Sequence, residues 1–158
     1  MFRTGIGYDA HRFGEGRKLV LGGVEIPYAR GLEGHSDADV LTHAIADAVL
    51  GAIGERDIGH HFPNTDETIR GISSLEILRR IGEILVEKKC RVANVDATLI
   101  AEAPKIGPHL EAMRAKLSTA LGIDVTRVGI KATTNEGMGA LGRGEGMAAM
   151  AIASVEQE

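Results

Sequence analysis

Residues 2–11, FRTGIGYDAH, alternate in character and predict a β-strand whose two faces carry different kinds of side chain. Successive side chains of a strand point to opposite faces, so Asp9 and His11 lie on one face while Ile6 and Tyr8 lie on the other. A carboxylate and an imidazole on one face can converge on a metal ion. Surface strands also carry such residues for solvation alone, so the pair becomes informative only with a third ligand.

The composition is typical of one globular domain, which we expect to span residues 1–158. Apolar residues make up 44% of the chain and aromatic residues 3%, so the core must consist of small aliphatic side chains. The net charge of −4 offers no basic field for nucleic acid. The single cysteine, Cys90, excludes an internal disulfide and a multi-cysteine zinc cluster, and we interpret it as structural. No signal-peptide pattern or membrane-length apolar run is present, so we expect a cytoplasmic protein without membrane contact.

Periodicity predicts three strands, two helices, a strand, a third helix and two final strands. This order indicates an α+β fold with a mixed four- to five-stranded sheet and helices on one face. The last strand, MAAMAIASV, has no polar outer face, so self-association would cover the other side of the sheet. The predicted strands are 2–11, 18–21, 24–27, 92–101, 127–134 and 147–155, and the helices begin near residues 36, 73 and 104.

Two capping boxes mark the predicted starts of the first two helices. Ser36 is followed by Asp39, and Ser73 is followed by Glu76, each pair at the spacing that satisfies the first free N–H groups. Residues 55–71 between these helices lack periodicity and form a long loop. Loops of that length in compact domains usually carry function.

The first helix supplies a candidate for the third ligand. His43 lies between Asp39 and Asp47 at helical spacing, and either carboxylate could accept the second N–H of a metal-bound imidazole. With Asp9 and His11, His43 would complete a three-ligand site with an open position, the pattern of catalytic zinc, although Mn²⁺ or Fe²⁺ could use the same ligands. By spacing alone, a solvated helix face explains the polar stripe of Asp39, His43 and Asp47 about equally well.

Two further stretches suit a phosphate group. His35, Ser36 and Asp37 lie where we predict a helix N-terminus, which favours anions, although a plain helix cap explains them too. Residues 131–146, KATTNEGMGALGRGEG, join a strand to a glycine-rich turn that carries two threonines, Glu136 and Arg143. Such turns can bind phosphate oxygens, and a lone carboxylate can hold Mg²⁺, although many are only turns.

The chain contains, in order, the stretches GYDAHRF, LGGVEIPY, GLEGHSDADVLTHAIADAVLGA, DIGHHFPNTD, NVDATLIAEAPKIGPH and KATTNEGMGALGRGEG. Together these six stretches resemble the 2-C-methyl-D-erythritol 2,4-cyclodiphosphate synthase family over nearly the whole chain. The resemblance implies a homotrimer with sheets around a three-fold axis and active sites between adjacent subunits. It also implies a phosphorus–oxygen lyase of the non-mevalonate isoprenoid pathway. In that reaction the 2-phosphate of 4-diphosphocytidyl-2-C-methyl-D-erythritol 2-phosphate attacks its own β-phosphorus and expels CMP.

By position, the resemblance assigns zinc to Asp9, His11 and His43, and a second ion, Mg²⁺ or Mn²⁺, to Glu136. His35 and Thr134 correspond to the stabilisers of the transition state. The methylerythritol part would contact residues 57–59 and 62–66, and the cytidine would contact 101–107. The implied substrate contacts are Asp9, Ala10, His11, His35, Ser36, Asp57, Ile58, Gly59, Phe62, Pro63, Asn64, Thr65, Asp66, Ala101, Glu102, Ala103, Pro104, Lys105, Ile106, Gly107, Thr133, Thr134, Asn135, Glu136, Ala140 and Arg143.

Three positions depart from the family pattern. Asn64 stands where Asp is common, which keeps a hydrogen-bond acceptor but removes a charge. Ala140 and Leu141 stand where many members have Phe and Thr. In the family that aromatic side chain lines an axial cavity near the position of Arg143, and this cavity can hold an isoprenoid diphosphate. Ala140 should make the cavity wider.

Two other functions fit parts of the pattern. A metal-dependent phosphodiesterase could use the same Asp9, His11 and His43 site to activate water. A non-catalytic trimeric protein that binds isoprenoids or stores metal would explain the small-residue strand and the metal ligands. The products formed from the diphosphocytidyl substrate separate these alternatives from a cyclising enzyme.

Overall fold

The computed structural model describes residues 1–158 as seven strands and five helices. Short 3₁₀ turns span Glu67–Ile69, Gly107–His109 and Val125–Arg127. The strands are β1 (Phe2–Gly14), β2 (Leu19–Leu21), β3 (Val24–Ile26), β4 (Gly31–Leu32), β5 (Cys90–Ile100), β6 (Val128–Thr133) and β7 (Gly146–Gln157). The helices are α1 (Val40–Ala52), α2 (Ile58–His61), α3 (Ser74–Glu87), α4 (Leu110–Leu121) and α5 (Gly139–Gly142). No helix has both the length and the apolar character needed to cross a membrane.

Five strands form one mixed sheet in the order β4-β1-β7-β5-β6. β5 and β6 run parallel, while the other neighbours run antiparallel. β2 and β3 form a separate hairpin around Gly22 and Gly23, whose φ angles of 56° and 74° suit a tight two-residue turn. The predicted α+β class and mixed sheet are confirmed.

Helix α1 packs directly against β1 because two glycines let the backbones approach closely. A Cβ atom added at Gly5 would lie 2.1 Å from the Ala48 carbonyl oxygen, and one at Gly7 would lie 1.9 Å from the Ala44 carbonyl oxygen. No side chain fits into such a gap. The close packing sets the ligand-bearing face of β1 directly beneath α1.

The opposite face of the sheet exposes apolar side chains. Ile6 is 66% exposed, Tyr8 is 58% exposed and Ile152 is 54% exposed. The alternation predicted for the first strand is therefore confirmed, since Asp9 and His11 point to the other side. Exposed apolar side chains grouped on a sheet face are typical of a surface that another protein covers.

The prediction that Ser36 caps the first helix was wrong. Helix α1 begins at Val40 and its N-cap is Asp39, whose carboxylate accepts the Thr42 N–H at 3.0 Å. The same buried carboxylate accepts the N–H groups of Gly22 and Gly23 at 2.9 and 2.7 Å, and this bonding to the hairpin holds Asp39 in place. Residues 35–37 therefore precede the helix start and do not form its first turn.

The start of the second long helix agrees with the prediction, whereas the start of the third differs from it. Ser73 occupies the predicted N-cap position of α3 but makes no side-chain capping bond, and the carboxylate of Asp37 accepts the N–H of Ser74, the first residue of the helix. The third long helix begins at Leu110, after the turn Gly107–His109. Pro108, whose missing N–H is not needed in a first turn, is the helix-starting proline rather than Pro104.

Candidate metal centre and active site

Three side chains from β1 and α1 converge at one point of the helix-covered face. Asp9 Oδ2 lies 2.8 Å from His11 Nε2 and 3.0 Å from His43 Nδ1, and the two ring nitrogens are 3.3 Å apart. Ligand atoms of a tetrahedral zinc site lie roughly 3.3 Å apart, as follows from bond lengths near 2 Å. The predicted convergence is confirmed, and the Asp-His-His cluster could hold a metal ion.

The tautomer of each imidazole follows from what its other nitrogen contacts. His11 Nδ1 lies 2.6 Å from the carbonyl oxygen of Glu33, which can only accept, so Nδ1 carries the hydrogen and Nε2 presents a lone pair to the cluster. His43 directs Nδ1 to the cluster and Nε2 to the hydroxyls of Ser74 and Ser36, at 2.8 and 3.1 Å. Lone pairs directed at one point beside a carboxylate suit a cation.

The prediction that Asp39 or Asp47 accepts the second N–H of His43 was wrong. Neither Asp39 nor Asp47 contacts His43 Nε2. The hydroxyl groups of Ser36 and Ser74 contact this nitrogen instead. Asp39 turns to the β2–β3 hairpin, and Asp47 accepts the N–H of Ile58 at 2.8 Å. Burial raises the pKa of Asp47, and nearby negative charge adds to that shift. The stripe is not a solvated helix face either, because Asp39 and His43 are buried.

The protonation equilibria of the cluster are coupled. Burial raises the pKa of Asp9, but hydrogen bonds and charge from His11 and His43 outweigh it and lower the pKa to about 2. Burial lowers the pKa of His11, but the Asp9 carboxylate outweighs that effect and the pKa is raised. The carboxylate is therefore ionised at neutral pH and favours a positive charge beside it, which a metal ion can supply as well as a proton.

A cavity of about 250 Å³ opens over the cluster. Small-molecule sites usually measure about 300–1,000 Å³, so a single chain encloses only part of a larger ligand. Three isoleucines that the sequence analysis did not single out for the site, Ile69, Ile72 and Ile77, form an apolar wall. The predicted residues that line the cavity are Asp9, His11, His35, Ser36, His43, Asp57, Ile58, Gly59, Phe62 and Asn64.

The other loop residues predicted for the site, Pro63, Thr65 and Asp66, do not line this cavity. The carbonyl oxygen of Asp66 lies 3.3 Å from His35 Nε2 and thus helps to orient that ring. The predicted irregular segment also contains regular structure, since α2 and the turn Glu67–Ile69 lie within it. The carboxylate of Asp57 makes no capping bond to α2 and remains available to a ligand.

A second cavity, of about 440 Å³, lies where β5 and β6 end. Glu102 links its two sides, because one carboxylate oxygen accepts the N–H groups of Asn135 and Gly137 at 3.0 and 3.1 Å. Glu136, between them, has a φ of 52° and an exposed side chain. Of the predicted residues, Ala101, Glu102, Pro104, Lys105, Ile106, Gly107, Thr133 and Thr134 line this cavity, whereas Ala103, Asn135 and Glu136 do not.

Three predicted residues line a third, smaller cleft. They are Ala10, His11 and Ala140, and the cleft lies beside the start of β7. Arg143 does not line it and instead forms an exposed ion pair with Glu145 at 2.9 Å.

The single chain does not bring together the cavity over the metal cluster and the cavity at the ends of β5 and β6. They share no lining residue, and β7 and β5 separate the metal-ligand strand β1 from β6. Three strand spacings amount to roughly 14 Å. Thr134 and Glu136 are therefore remote from the Asp9 cluster within one chain.

Comparisons with known proteins match the whole chain. The model of the YgbB family matches residues 2–156. A relative from Alkaliphilus metalliredigens, named 2-C-methyl-D-erythritol 2,4-cyclodiphosphate synthase, is 59% identical over 155 residues, which are 98% of each chain. The fold is similar to a solved structure of the bifunctional IspDF from Campylobacter jejuni, with a TM-score of 0.95 and 39% identity over 100% of this chain and 43% of that one. It is also similar to IspF from Plasmodium falciparum in a CDP complex, with a TM-score of 0.86 and 32% identity over 99% and 97% of the two chains.

Proposed function

Because the chain belongs to the YgbB family, we propose that it converts 4-diphosphocytidyl-2-C-methyl-D-erythritol 2-phosphate to 2-C-methyl-D-erythritol 2,4-cyclodiphosphate and CMP. An oxygen of the 2-phosphate forms a bond to the β-phosphorus, and the bond from that phosphorus to the CMP oxygen breaks. No water enters the products. The reaction is that of a phosphorus–oxygen lyase in isoprenoid biosynthesis. The observation that carries the proposal is the Asp9, His11 and His43 cluster, open to a cavity in a chain of this family.

Zinc is the ion we assign to the cluster, because two imidazoles and one carboxylate with an open position are its usual catalytic ligands. When bound, it supplies positive charge that polarises a phosphate oxygen and holds the diphosphate in place. Glu136 is the candidate ligand of a second ion, Mg²⁺ or Mn²⁺. Its exposed carboxylate is free for that role, and such ions often take one protein carboxylate together with substrate phosphates.

The chain's own residues position the substrate and keep water away. The ring of His35 faces the cavity, and because Nε2 lies against the Asp66 carbonyl oxygen, the imidazolium form would donate its other N–H to a phosphate oxygen. The free carboxylate of Asp57 can accept sugar hydroxyls. The apolar wall of Ile69, Ile72 and Ile77 leaves little for water to bind on that side. Exclusion of water matters because the 2-phosphate must react before a water molecule does. An ionised phosphate is already a nucleophile, so this mechanism assigns no general base.

The second cavity is our proposed cytidine pocket, formed by residues 101–107 and the turn after β6. The CDP complex of the Plasmodium falciparum relative supports a cytidine nucleotide as the kind of ligand. Thr134, on the rim of this cavity, can donate its hydroxyl to a phosphate oxygen between the nucleotide and the metal cluster.

Formation of a homotrimer would bring the cavity over the metal cluster together with the proposed cytidine pocket. The metal cluster of one subunit would meet the nucleotide cavity of its neighbour, while the exposed face with Ile6, Tyr8 and Ile152 would pack around the three-fold axis. The separation within one chain supports this arrangement, since a single diphosphocytidyl substrate must contact both cavities. An isoprenoid diphosphate could occupy an axial cavity, which Ala140 would widen.

Replacement of one ligand tests the assignment. We expect His43→Ala to lose bound zinc and to stop releasing CMP. The trimer should remain, because His43 lies on the helix-covered face of the sheet and not on the exposed one. Metal analysis, a CMP assay and size-exclusion chromatography measure these three properties. His109→Ala is the matched control, because His109 lines neither cavity. Turnover by His43→Ala in metal-free buffer would refute the assignment, and a non-catalytic protein would show no CMP release in either form.

A further inference from the structure

Two hydroxyl groups approach the nitrogen of His43 that points away from the metal cluster. Ser74 Oγ lies 2.8 Å from His43 Nε2, and Ser36 Oγ lies 3.1 Å from it. Ser74 is completely buried, and so no bulk water competes for this contact. The shorter contact joins the first residue of α3 to a ligand on α1.

The direction of the Ser74 hydrogen bonds follows from Asp37. The Ser74 hydroxyl also contacts Asp37 Oδ1, and an ionised carboxylate can only accept, so Ser74 donates its one hydrogen to Asp37. Its oxygen must then accept from His43. The hydrogen of the imidazole is thereby fixed on Nε2, and the lone pair on Nδ1 faces Asp9 and His11.

We propose that Asp37 and Ser74 are positioning residues that hold His43 in the tautomer and orientation required for metal binding. This inference rests on the metal site of the proposed function. A carboxylate behind a metal-bound imidazole makes the ring a better ligand, and here the Ser74 hydroxyl carries that effect across the gap between Asp37 and the ring. Neither residue is a ligand of the cluster, because Ser74 contacts His43 only at Nε2, the nitrogen that points away from Asp9 and His11.

A purely structural role for Asp37 is the competing explanation. Asp37 Oδ2 accepts the Ser74 N–H at 3.0 Å, so the carboxylate also caps helix α3. The two roles use different atoms. Ser74→Ala removes only the hydroxyl and leaves the backbone capping bond, so a structural role predicts no change in metal binding.

The experiment measures zinc affinity without substrate, by competition with a coloured chelator, and records the visible spectrum of the Co²⁺-loaded protein. We expect Ser74→Ala to bind zinc about 10- to 100-fold more weakly, as for other residues that orient metal ligands, and to change the Co²⁺ spectrum. Ser73→Ala is the matched control, since the Ser73 side chain makes no capping bond. Ser74→Cys has nearly the same size and a weaker donor, so it should fold and show intermediate affinity.

Equal zinc affinity of the parent chain, Ser74→Ala and Ser73→Ala would overturn the inference while leaving the metal site intact. Failure of the parent chain to bind zinc or Co²⁺ would refute both the metal site and the role of Ser74. If Ser74→Ala keeps its metal affinity but loses CMP release, Ser74 contacts substrate instead, and the positioning role is wrong.

Discussion

Substitution of Gly7 by alanine should separate helix α1 from strand β1 at the metal centre. The added Cβ would lie 1.9 Å from the carbonyl oxygen of Ala44 and 2.8 Å from the backbone N of Ala48. These are backbone atoms, so no side chain can rotate away to relieve the contact. To reach ordinary contact distances of about 3.5 Å, the helix must move outward by roughly 1.5 Å.

That displacement has two measurable consequences. Overpacking of this kind typically destabilises a fold by about 1–3 kcal/mol, and each kcal/mol lowers Tm by about 2–4 °C in a chain of this size. His43, next to Ala44, would move away from Asp9 on the strand. Metal ligands must keep their distances within about 0.2 Å, so we expect zinc affinity to fall by about tenfold or more.

Thermal unfolding and chelator competition on the same samples provide the assay. Gly51→Ala is the matched control on the facing helix, because its added Cβ would meet only ordinary contacts, at 3.8 Å from Gly5 Cα and the Ile6 carbonyl oxygen. That change should maintain or raise Tm by restoring helix propensity, and it should leave zinc binding unaltered. A Gly7→Ala protein with unchanged Tm and zinc affinity would refute the close packing of β1 on α1.

Three further outcomes are expected. Ile6→Glu places a charge on the exposed apolar face and should convert the proposed trimer to smaller species in light scattering, whereas an unchanged mass would exclude that face as the interface. Glu102→Ala leaves two backbone N–H groups of the turn after β6 without their acceptor. We expect CDP binding, measured by calorimetry, to weaken about tenfold while zinc affinity stays unchanged. Equal CDP affinity would contradict the role of that turn. Burial raises the pKa of Asp47 above its ordinary value of 3.8, so the folded chain holds this proton to higher pH than the unfolded chain does. The free energy of unfolding should therefore fall as pH rises from 3.8 through the raised pKa. Asp47→Asn should remove that decrease in urea denaturation, and an unchanged pH dependence would contradict the shift.

The metal cluster was predictable from the sequence because its ligands obey short-range rules. A period of two places Asp9 and His11 on one strand face, and helical spacing marks His43 as a polar residue beside an apolar stripe. The exposure of Ile6 and Tyr8 followed from the same alternation. These features depend on local geometry that neighbouring elements do not change.

The support of the cluster was not predictable, because it depends on contacts between distant segments. Asp39 has the right spacing to support His43, but its carboxylate turns to the Gly22 and Gly23 N–H groups of the hairpin. The hydroxyl that replaces it, from Ser74, comes from another helix, 31 residues along the chain from His43. Only the packing of α3 beside α1 brings that hydroxyl to the ring.

The same reason explains the caps and the cavity wall. A capping box identifies residues able to cap a helix, but the Ser73 side chain makes no capping bond, and the carboxylate of Asp37, from another segment, accepts the N–H of Ser74. The apolar wall combines Ile77 on α3 with Ile69 and Ile72, which come from a segment without periodicity. Sequence pattern shows that such residues are apolar, while the fold decides that they face a ligand cavity.

The source of the oxygen that attacks the β-phosphorus tests the proposed cyclisation most directly. The zinc-loaded protein would be incubated with 4-diphosphocytidyl-2-C-methyl-D-erythritol 2-phosphate in water labelled with heavy oxygen, and the products would be analysed by phosphorus NMR and mass spectrometry. We predict CMP and an unlabelled cyclic diphosphate, because the 2-phosphate supplies the oxygen. CMP with a labelled linear bisphosphate would show that water attacks instead, and the chain would then be a phosphodiesterase rather than a cyclising enzyme.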